Sequence, residues 1–214
     1  NLSNFVQKIN NMLNKFSPLI LALCVLTFFS FKPHPLVVNA NKDASTIIWT
    51  GSKPTGSHTG NVSLKSGYLV LDHDNVIGGS FIIDMNSITC TDIESERKNK
   101  YLVDHLKDED FFDVAKFPEA EIEITGSKKI SDKDFEMQAN MTIKGRTNEI
   151  TFNSEIQTTG NSKTTGNSFT AIARIVIDRT LWGVEYKSAN VFKNLGDKFI
   201  YDDMEFDIFL ISEK

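Results

Sequence analysis

From residue 41 onward, apolar and polar residues alternate along most of the sequence. Residues 135–143 read Phe-Glu-Met-Gln-Ala-Asn-Met-Thr-Ile, in which every second residue is apolar. Successive side chains of a β-strand point to opposite faces of the sheet, so this pattern predicts a strand with one buried and one exposed face. The chain is therefore predicted to be mainly β.

Nine segments show the strand pattern and are separated by stretches rich in Gly, Asn and Asp. Many alternating strands favour an antiparallel sheet that closes on itself with its apolar face inside. A barrel of about eight strands has a lumen that can hold one small ligand, as in lipocalins, whereas a two-sheet sandwich is filled by its own side chains. The alternation does not distinguish these two folds. The predicted strands are residues 46–50, 60–65, 68–72, 79–85, 119–125, 135–143, 149–155, 169–177 and 204–211.

One segment, residues 92–107, departs from the alternation. It is highly charged and places Tyr101, Leu102 and Leu106 at helical spacing. This spacing predicts a single amphipathic helix inserted among the strands, with Asp92 as its N-cap.

The first forty residues differ in composition from the rest of the chain. They contain three lysines and no acidic residue, and an uncharged apolar run extends from Pro18 to Phe31. The run is short for a membrane span and typical of a signal peptide, with a candidate cleavage site after Ala40. We therefore predict a signal peptide and leader at 1–40, a β-barrel domain at 41–214, and a periplasmic or secreted protein without a membrane span once the leader is removed. An uncleaved anchor helix is the alternative.

Charge and cysteine content restrict the partners and the source of stability. Residues 41–214 carry 20 basic and 28 acidic residues, a net charge of −8. A surface this acidic repels nucleic-acid phosphates and anionic lipid headgroups, so nucleic-acid binding is not expected. Cys90 is the only cysteine after residue 40, so the exported domain cannot form an internal disulfide and must rely on its core.

No motif in the sequence predicts catalysis, a metal site or a cofactor. The four histidines show no zinc-site spacing, and neither a nucleophile elbow nor a phosphate-binding loop is present. The cluster Asp72-His73-Asp74 is more typical of a solvated turn than of a metal site. Glu121 and Glu123 are expected to point outward, away from the apolar setting that would shift a carboxyl pKa. We predict a protein that is not an enzyme and that needs no metal or cofactor.

Aromatic residues form the main functional signal, because phenylalanine occurs 16 times. Four of the phenylalanines are expected at inward strand positions and three follow the predicted helix, while Trp182 and Tyr186 lie near the end of the chain. Such residues can fill a core or line a pocket for an apolar chain. The candidate ligand-binding residues of this kind are Trp49, Phe81, Phe111, Phe112, Phe117, Phe152, Phe169, Trp182, Tyr186 and Phe206.

Four blocks of the sequence, in order, resemble the YceI-like family. Asp110-Phe-Phe-Asp113 with Phe117-Pro118 follows the helix, Met141-Thr-Ile-Lys-Gly145 ends a strand, and Ile177-Asp-Arg-Thr-Leu-Trp-Gly183 and Gly196-Asp197 come later. The resemblance covers most of residues 45–214. It implies a lipocalin-like antiparallel barrel with a helix beside it and an isoprenoid or similar amphiphile in the lumen.

The resemblance also implies that Phe111, Phe112, Arg179 and Trp182 lie at or near the pocket. Arg179 could pair with a polar headgroup, because a guanidinium contacts two oxygens at once. An ion pair at the barrel end is an equally good interpretation of this arginine. The opening hairpin and the 187–198 connection depart from the family pattern, the second by its greater length.

Two functional hypotheses follow. The first is an exported, non-catalytic protein that holds an isoprenoid or other long-chain lipid. The second is an exported structural or interaction protein whose barrel is filled by its own side chains. A lipid hydrolase ranks last because no nucleophile–base pair is evident, and the oligomeric state is left open, a homodimer included.

Overall fold

The computed structural model describes residues 35–73, 75–159 and 168–213, and in this part of the chain it contains nine β-strands and one α-helix. The apolar run at 18–31 lies outside the described residues. The strands are β1 (Leu36–Asn39), β2 (Thr46–Lys53), β3 (Gly56–Asp72), β4 (Asn75–Asp84), β5 (Glu119–Lys129), β6 (Asp134–Ile143), β7 (Arg146–Thr159), β8 (Ser168–Asp178) and β9 (Asp203–Ile211), and the helix α1 is Glu96–Lys107. In these residues there is no helix that is long and apolar enough to span a membrane.

The strands form one closed antiparallel barrel. Their order is β1-β3-β2-β9-β8-β7-β6-β5-β4, and β4 pairs with β3 to close the sheet. Both β1 and β2 pair with the same side of β3, β2 with its first half and β1 with its second. They therefore share one strand position, and the barrel has eight positions plus the short extra strand β1. The predicted fold is confirmed.

Two predicted boundaries change. Residues 60–65 and 68–72 belong to the single strand β3, whose pairing with β4 shifts by one residue between Leu64 and Ser66. This bulge bends the strand so that its two halves can pair with different neighbours. Strand β1 lies inside the region that was predicted to be leader.

The interior follows the alternation. In β6, the five alternate residues from Phe135 to Ile143 are buried, whereas the residues between them are exposed or half-buried. In β5, Glu121 accepts a hydrogen bond from the Ser80 hydroxyl and Glu123 accepts one from the Asn140 amide, so both carboxylates lie on the outer face as expected. Local alternation thus defined the inner wall of the barrel.

The helix begins four residues later than predicted. Its N-cap is Ser95, and Asp92 does not cap it. The Asp92 carboxylate instead accepts hydrogen bonds from the Thr59 amide and from His58 Nδ1, so it is bound to the edge of β3. The prediction of Asp92 as a cap was wrong because the backbone of a distant strand competes for the same carboxylate.

The connections divide between two ends of the barrel. One end, called the helix end below, carries the 85–118 segment with α1, the β6–β7 turn and the 179–202 segment between β8 and β9. The opposite end carries the β3–β4 turn and the β5–β6 turn. The two described connections at the opposite end are short turns, whereas long segments cover the helix end.

Candidate ligand-binding site

Two apolar cavities lie inside the barrel, one above the other. Both are narrow: the upper cavity, toward the helix end, has a volume of about 60 Å³ and the lower one of about 50 Å³. Ile47, Ile83, Ile122 and Ile208 line both cavities, so the two adjoin at four isoleucines on β2, β4, β5 and β9. We call these four isoleucines the waist.

The two cavities differ in the kind of element that encloses them. Only strand residues line the lower cavity, whereas Met85, Ile88, Leu106 and Phe112 of the 85–118 segment cover part of the upper one. Removing a strand from a closed barrel breaks many backbone hydrogen bonds, but displacing a connecting segment breaks few. We therefore take the helix end as the candidate entrance.

Five of the eleven predicted site residues line these cavities. Trp49, Phe112 and Phe206 line the upper cavity, and Phe81 and Phe152 line the lower one. The Trp49 indole donates a 3.0 Å hydrogen bond to the Thr89 carbonyl, so its polar atom has a partner and its ring can face the lumen. Ligand contact by these five residues stays a prediction.

Two further predicted residues lie beside α1 rather than in the cavities. Phe111 and Tyr186 pack against each other with ring centroids 5.5 Å apart, and both contact the imidazole of His105 edge-on. His105 Nε2 is buried without a hydrogen-bond partner among the described residues. This aromatic cluster fastens the C-terminal end of α1 to the 179–202 segment.

Phe117 and Phe169 serve local packing. The Phe117 ring lies against the β6–β7 turn, where a Cβ on Gly145 would come within 2.6 Å of the ring. Gly145 has a φ of 72°, which favours glycine, so the ring and the turn are matched. Phe169 is fully buried near the opposite end, and its amide donates to the Ser212 hydroxyl.

Trp182 fills a break in the barrel wall. Strands β7 and β8 pair only from Ser154 to Thr159, so the first half of β7 and the last half of β8 diverge at the helix end. The fully buried Trp182 indole donates a 2.9 Å hydrogen bond to the Met141 carbonyl, and the Asn148 amide holds the neighbouring Leu181 carbonyl. The side chain seals this part of the wall.

Arg179 is committed to the protein's own backbone. Its side chain is 2% exposed, and its guanidinium donates to the carbonyls of Tyr201 (3.1 Å), Val184 (2.6 Å) and Ile200 (3.2 Å). It also lies 3.4 Å from the Asp202 carboxylate. Of the two interpretations given by the sequence, the geometry favours the ion pair at the barrel end, because few donors are left for a headgroup.

A cluster that sequence reasoning missed joins Cys90, Asp92 and His58. The Cys90 thiol and His58 Nδ1 both contact the Asp92 carboxylate, at 3.2 Å and 2.8 Å. Burial alone would raise the pKa of Asp92. Hydrogen bonds from the Thr59 amide, His58 and Cys90 outweigh burial and lower this pKa to about 2. Burial and the contact with Asp92 raise the pKa of the thiol. The thiol therefore stays protonated, and the cluster anchors the 89–92 segment to β3.

Replacing Asp92 by alanine should lower the free energy of unfolding by about 1–2 kcal/mol at neutral pH, because three donors lose a charged acceptor. The pKa of Asp92 in the folded protein, about 2, is below its ordinary 3.8, so the stabilisation is present above pH 3.8 and lost as the pH falls toward 2. Urea titrations over this range measure it, with Asp43→Ala, an exposed aspartate, as control. A difference between Asp92→Ala and the parent protein that is independent of pH would contradict this assignment.

In the described part of the chain, no three His, Cys, Asp or Glu side chains are arranged so that they could hold a metal ion, and this includes Cys90, Asp92 and His58, which are linked by hydrogen bonds. Asp72 and His73 contact each other in the β3–β4 turn, and the His73 side chain is 86% exposed. Asp74, the third residue of the cluster that the sequence singled out, lies outside the described residues.

The aliphatic lining, including the waist, was absent from the predicted site. The signal was present in the alternation, which places Ile122 and Ile208 on inward faces, but it does not separate residues that face empty space from residues that are packed. Aromatic residues attracted attention because of their size, and six of the eleven candidates line neither cavity.

Comparison with known proteins gives the same fold and a family. The crystal structure of BcnA from Burkholderia cenocepacia superposes with a TM-score of 0.63 at 15% identity, over 81% of this chain and 99% of that one. A polyisoprenoid binding domain from Saccharophagus degradans, implicated in plant cell wall breakdown, gives 0.58 at 15% identity, over 83% and 99%. A YceI protein from Campylobacter jejuni gives 0.52 at 19% identity, over 71% and 83%. Among curated proteins, none matches.

At these identities the structural likeness shows the fold alone. The sequence model of the YceI-like domain matches residues 39–210, which is most of the chain, from the end of β1 almost to the end of β9. The match includes all four blocks on which the resemblance rested. The chain therefore belongs to the YceI-like domain family.

Proposed function

We propose that this protein is a non-catalytic carrier that holds one long apolar chain, such as an isoprenoid or fatty chain, in its lumen. The observation that carries the proposal is the pair of adjoining apolar cavities with the waist between them. For a branched or linear hydrocarbon chain to occupy both cavities, the side chains of the waist must move apart.

The lining chemistry supports an apolar ligand. The one hydroxyl on the lower cavity's lining, that of Ser154, donates to the Ile172 carbonyl at 3.0 Å, so it has a partner inside the protein. Burial of apolar surface contributes about 25 cal/mol per Å², which favours a hydrocarbon chain over water in such a space. The polyisoprenoid binding of the Saccharophagus degradans domain, which shares the fold, is consistent with this ligand class.

Mass spectrometry of an organic extract of the purified protein should reveal a long-chain lipid. Adding an isoprenoid alcohol to delipidated protein should raise its melting temperature, because only the folded state binds it, by about 2.7 kcal/mol of stability at one hundred times the dissociation constant. A short, water-soluble alcohol serves as control. An empty extract, together with no stabilisation by any long-chain amphiphile, would favour the alternative of a structural barrel filled by its own side chains.

We further propose that the protein is exported and that cleavage, where it occurs, precedes Leu36. A cut after Ala40 would remove β1, in which Val38 is buried in the core. It would also remove Ala40, which is 5% exposed and whose amide donates to the Gly67 carbonyl. The buried positions of these residues support a cleavage site upstream of β1 rather than the site predicted from the sequence.

N-terminal sequencing of protein recovered from the periplasm or medium should begin at or before Leu36. Recovery of the protein only in the cytoplasm would contradict export. A first residue at Asn41 would contradict the role of β1 and restore the cleavage site after Ala40.

A further inference from the structure

The segment between β8 and β9 contains a loop that is exposed, apolar at its tip and locally basic. The 187–200 loop includes Val191 and Phe192, which are 45% and 47% exposed. It carries three lysines and one aspartate, in a domain whose net charge is −8. Among the described residues these lysines form no ion pair. They are Lys187, Lys193 and Lys198.

The base of this loop is built rigidly. Ser188, which is fully buried, forms a parallel bridge with Ile200, and the Ile200 amide donates to the Lys187 carbonyl. Below it, Arg179 binds the carbonyls of Ile200 and Tyr201, so the guanidinium clamps the segment that carries the loop. A large exposed aromatic side chain on a clamped base is a fixed protrusion and is not a disordered tail.

The position of the loop relates it to the lumen. It lies at the helix end, where the 85–118 segment covers the upper cavity, and Tyr186 at its start packs against His105 and Phe111. We propose that the 187–200 loop docks the protein on a phospholipid bilayer that contains anionic lipid, with Val191 and Phe192 in the interface and the lysines at the headgroups. Docking would place the candidate entrance of the lumen at the membrane, which is the source of a lipid ligand. This consequence rests on the proposed function, whereas the docking itself is independent of it.

Charge decides between this occupant and a second copy of the chain. Lysines attract anionic headgroups, and aromatic side chains favour the boundary between water and hydrocarbon. The acidic surface of the rest of the domain would repel a bilayer, but salt screens charges beyond about 8–10 Å, so the charges of the loop dominate where it touches. A second copy would instead bring three lysines against three lysines in a symmetric contact.

Depth-dependent quenching tests the docking in the full chain. Phe192→Trp places a fluorophore at the tip, while the native Trp49 and Trp182 are buried. Vesicles of phosphatidylcholine and brominated phosphatidylglycerol should quench this tryptophan. The matched control is Ile130→Trp in the β5–β6 turn at the opposite end, where the parent isoleucine is 58% exposed and lysines lie nearby. Quenching should be absent in the control. Changing all three loop lysines to glutamine in Phe192→Trp should weaken binding to the vesicles about fivefold per lysine.

Several outcomes would overturn the docking. One is a tryptophan at 192 that is not quenched, and another is equal quenching at positions 130 and 192. A third is association of the protein with itself, seen by light scattering and abolished by Phe192→Ser. Binding of a soluble, short-chain fluorescent fatty acid in the absence of vesicles reports on the lumen separately. If the protein does not bind this fatty acid but the tryptophan at 192 is still quenched by vesicles, the carrier function is refuted and the docking surface is retained.

Discussion

Replacing Ala171 by phenylalanine should shorten the longest chain that the barrel accepts. Ala171 is 7% exposed and lines the lower cavity, so a larger side chain there takes the space that the end of a long ligand would need. Ligands that fit above the waist should still bind. Longer ones should lose tenfold or more in affinity, because each excluded methylene costs about 0.8 kcal/mol.

The same change in the upper cavity should act on every chain length. Ala120→Phe fills the cavity nearer the entrance, so it should weaken short and long isoprenoid alcohols alike. Titration with a series of increasing chain length measures both variants, and Ile172→Phe, on the exposed outer face beside Ala171, is the control. Equal affinities of all three variants for all chain lengths would show that the ligand does not occupy the lumen. If phenylalanine overpacks the lower cavity, Ala171→Leu introduces a smaller side chain at the same position.

Replacing Arg179 by methionine should destabilise the protein by about 3–5 kcal/mol, because the partners of a buried charge are left without a donor. Three carbonyls and the Asp202 carboxylate would lose hydrogen bonds in the interior. Arg179→Lys should recover little of this loss, since a single ammonium group cannot reach acceptors arranged around a planar guanidinium. Chemical denaturation measures the free energy of unfolding of each variant.

Arg174→Met is the matched control. Arg174 is 61% exposed and pairs with Glu205 and Asp207 on the outer face of β9, so its loss should cost at most about 1 kcal/mol. Measurements of ligand affinity distinguish a structural role of Arg179, which holds the 200–202 backbone, from direct contact with a ligand headgroup. If Arg179 only clamps, anionic and neutral ligands of equal length should be affected in the same proportion, whereas a selective loss of anionic ligands would restore the headgroup role that the sequence left open.

Much of the barrel wall could be predicted from the sequence because the direction of a side chain on a strand is a local property. Ile122 and Ile124 point inward and Glu121 and Glu123 outward as the alternation requires, and the amphipathic segment around Leu106 forms the helix. The aromatic excess directed attention to Trp49, Phe112 and Phe206, which line the upper cavity, and their contact with a ligand stays a prediction. The sequence could not distinguish residues that line a cavity from residues that are packed in the core, because both positions require apolar side chains.

The partners of individual polar groups depended on residues far along the chain. Asp92 lies three residues before Ser95 and looked like a cap, yet its partners are His58 and Thr59 of β3. Arg179 belongs to a family-like block, but its role follows from carbonyls about twenty residues later, in a connection whose path the sequence does not specify.

The sequence by itself determined which faces of the strands are apolar, where the helix is inserted and to which family the blocks point, because these properties reside in neighbouring residues. Only the tertiary structure decided that the sheet closes through β3 and β4, that β1 belongs to the barrel, and that two cavities meet at the waist. Closure of the sheet and the volume left unfilled inside it both depend on strands that are far apart in the sequence. No local pattern of residues specifies whether their side chains leave space in the lumen.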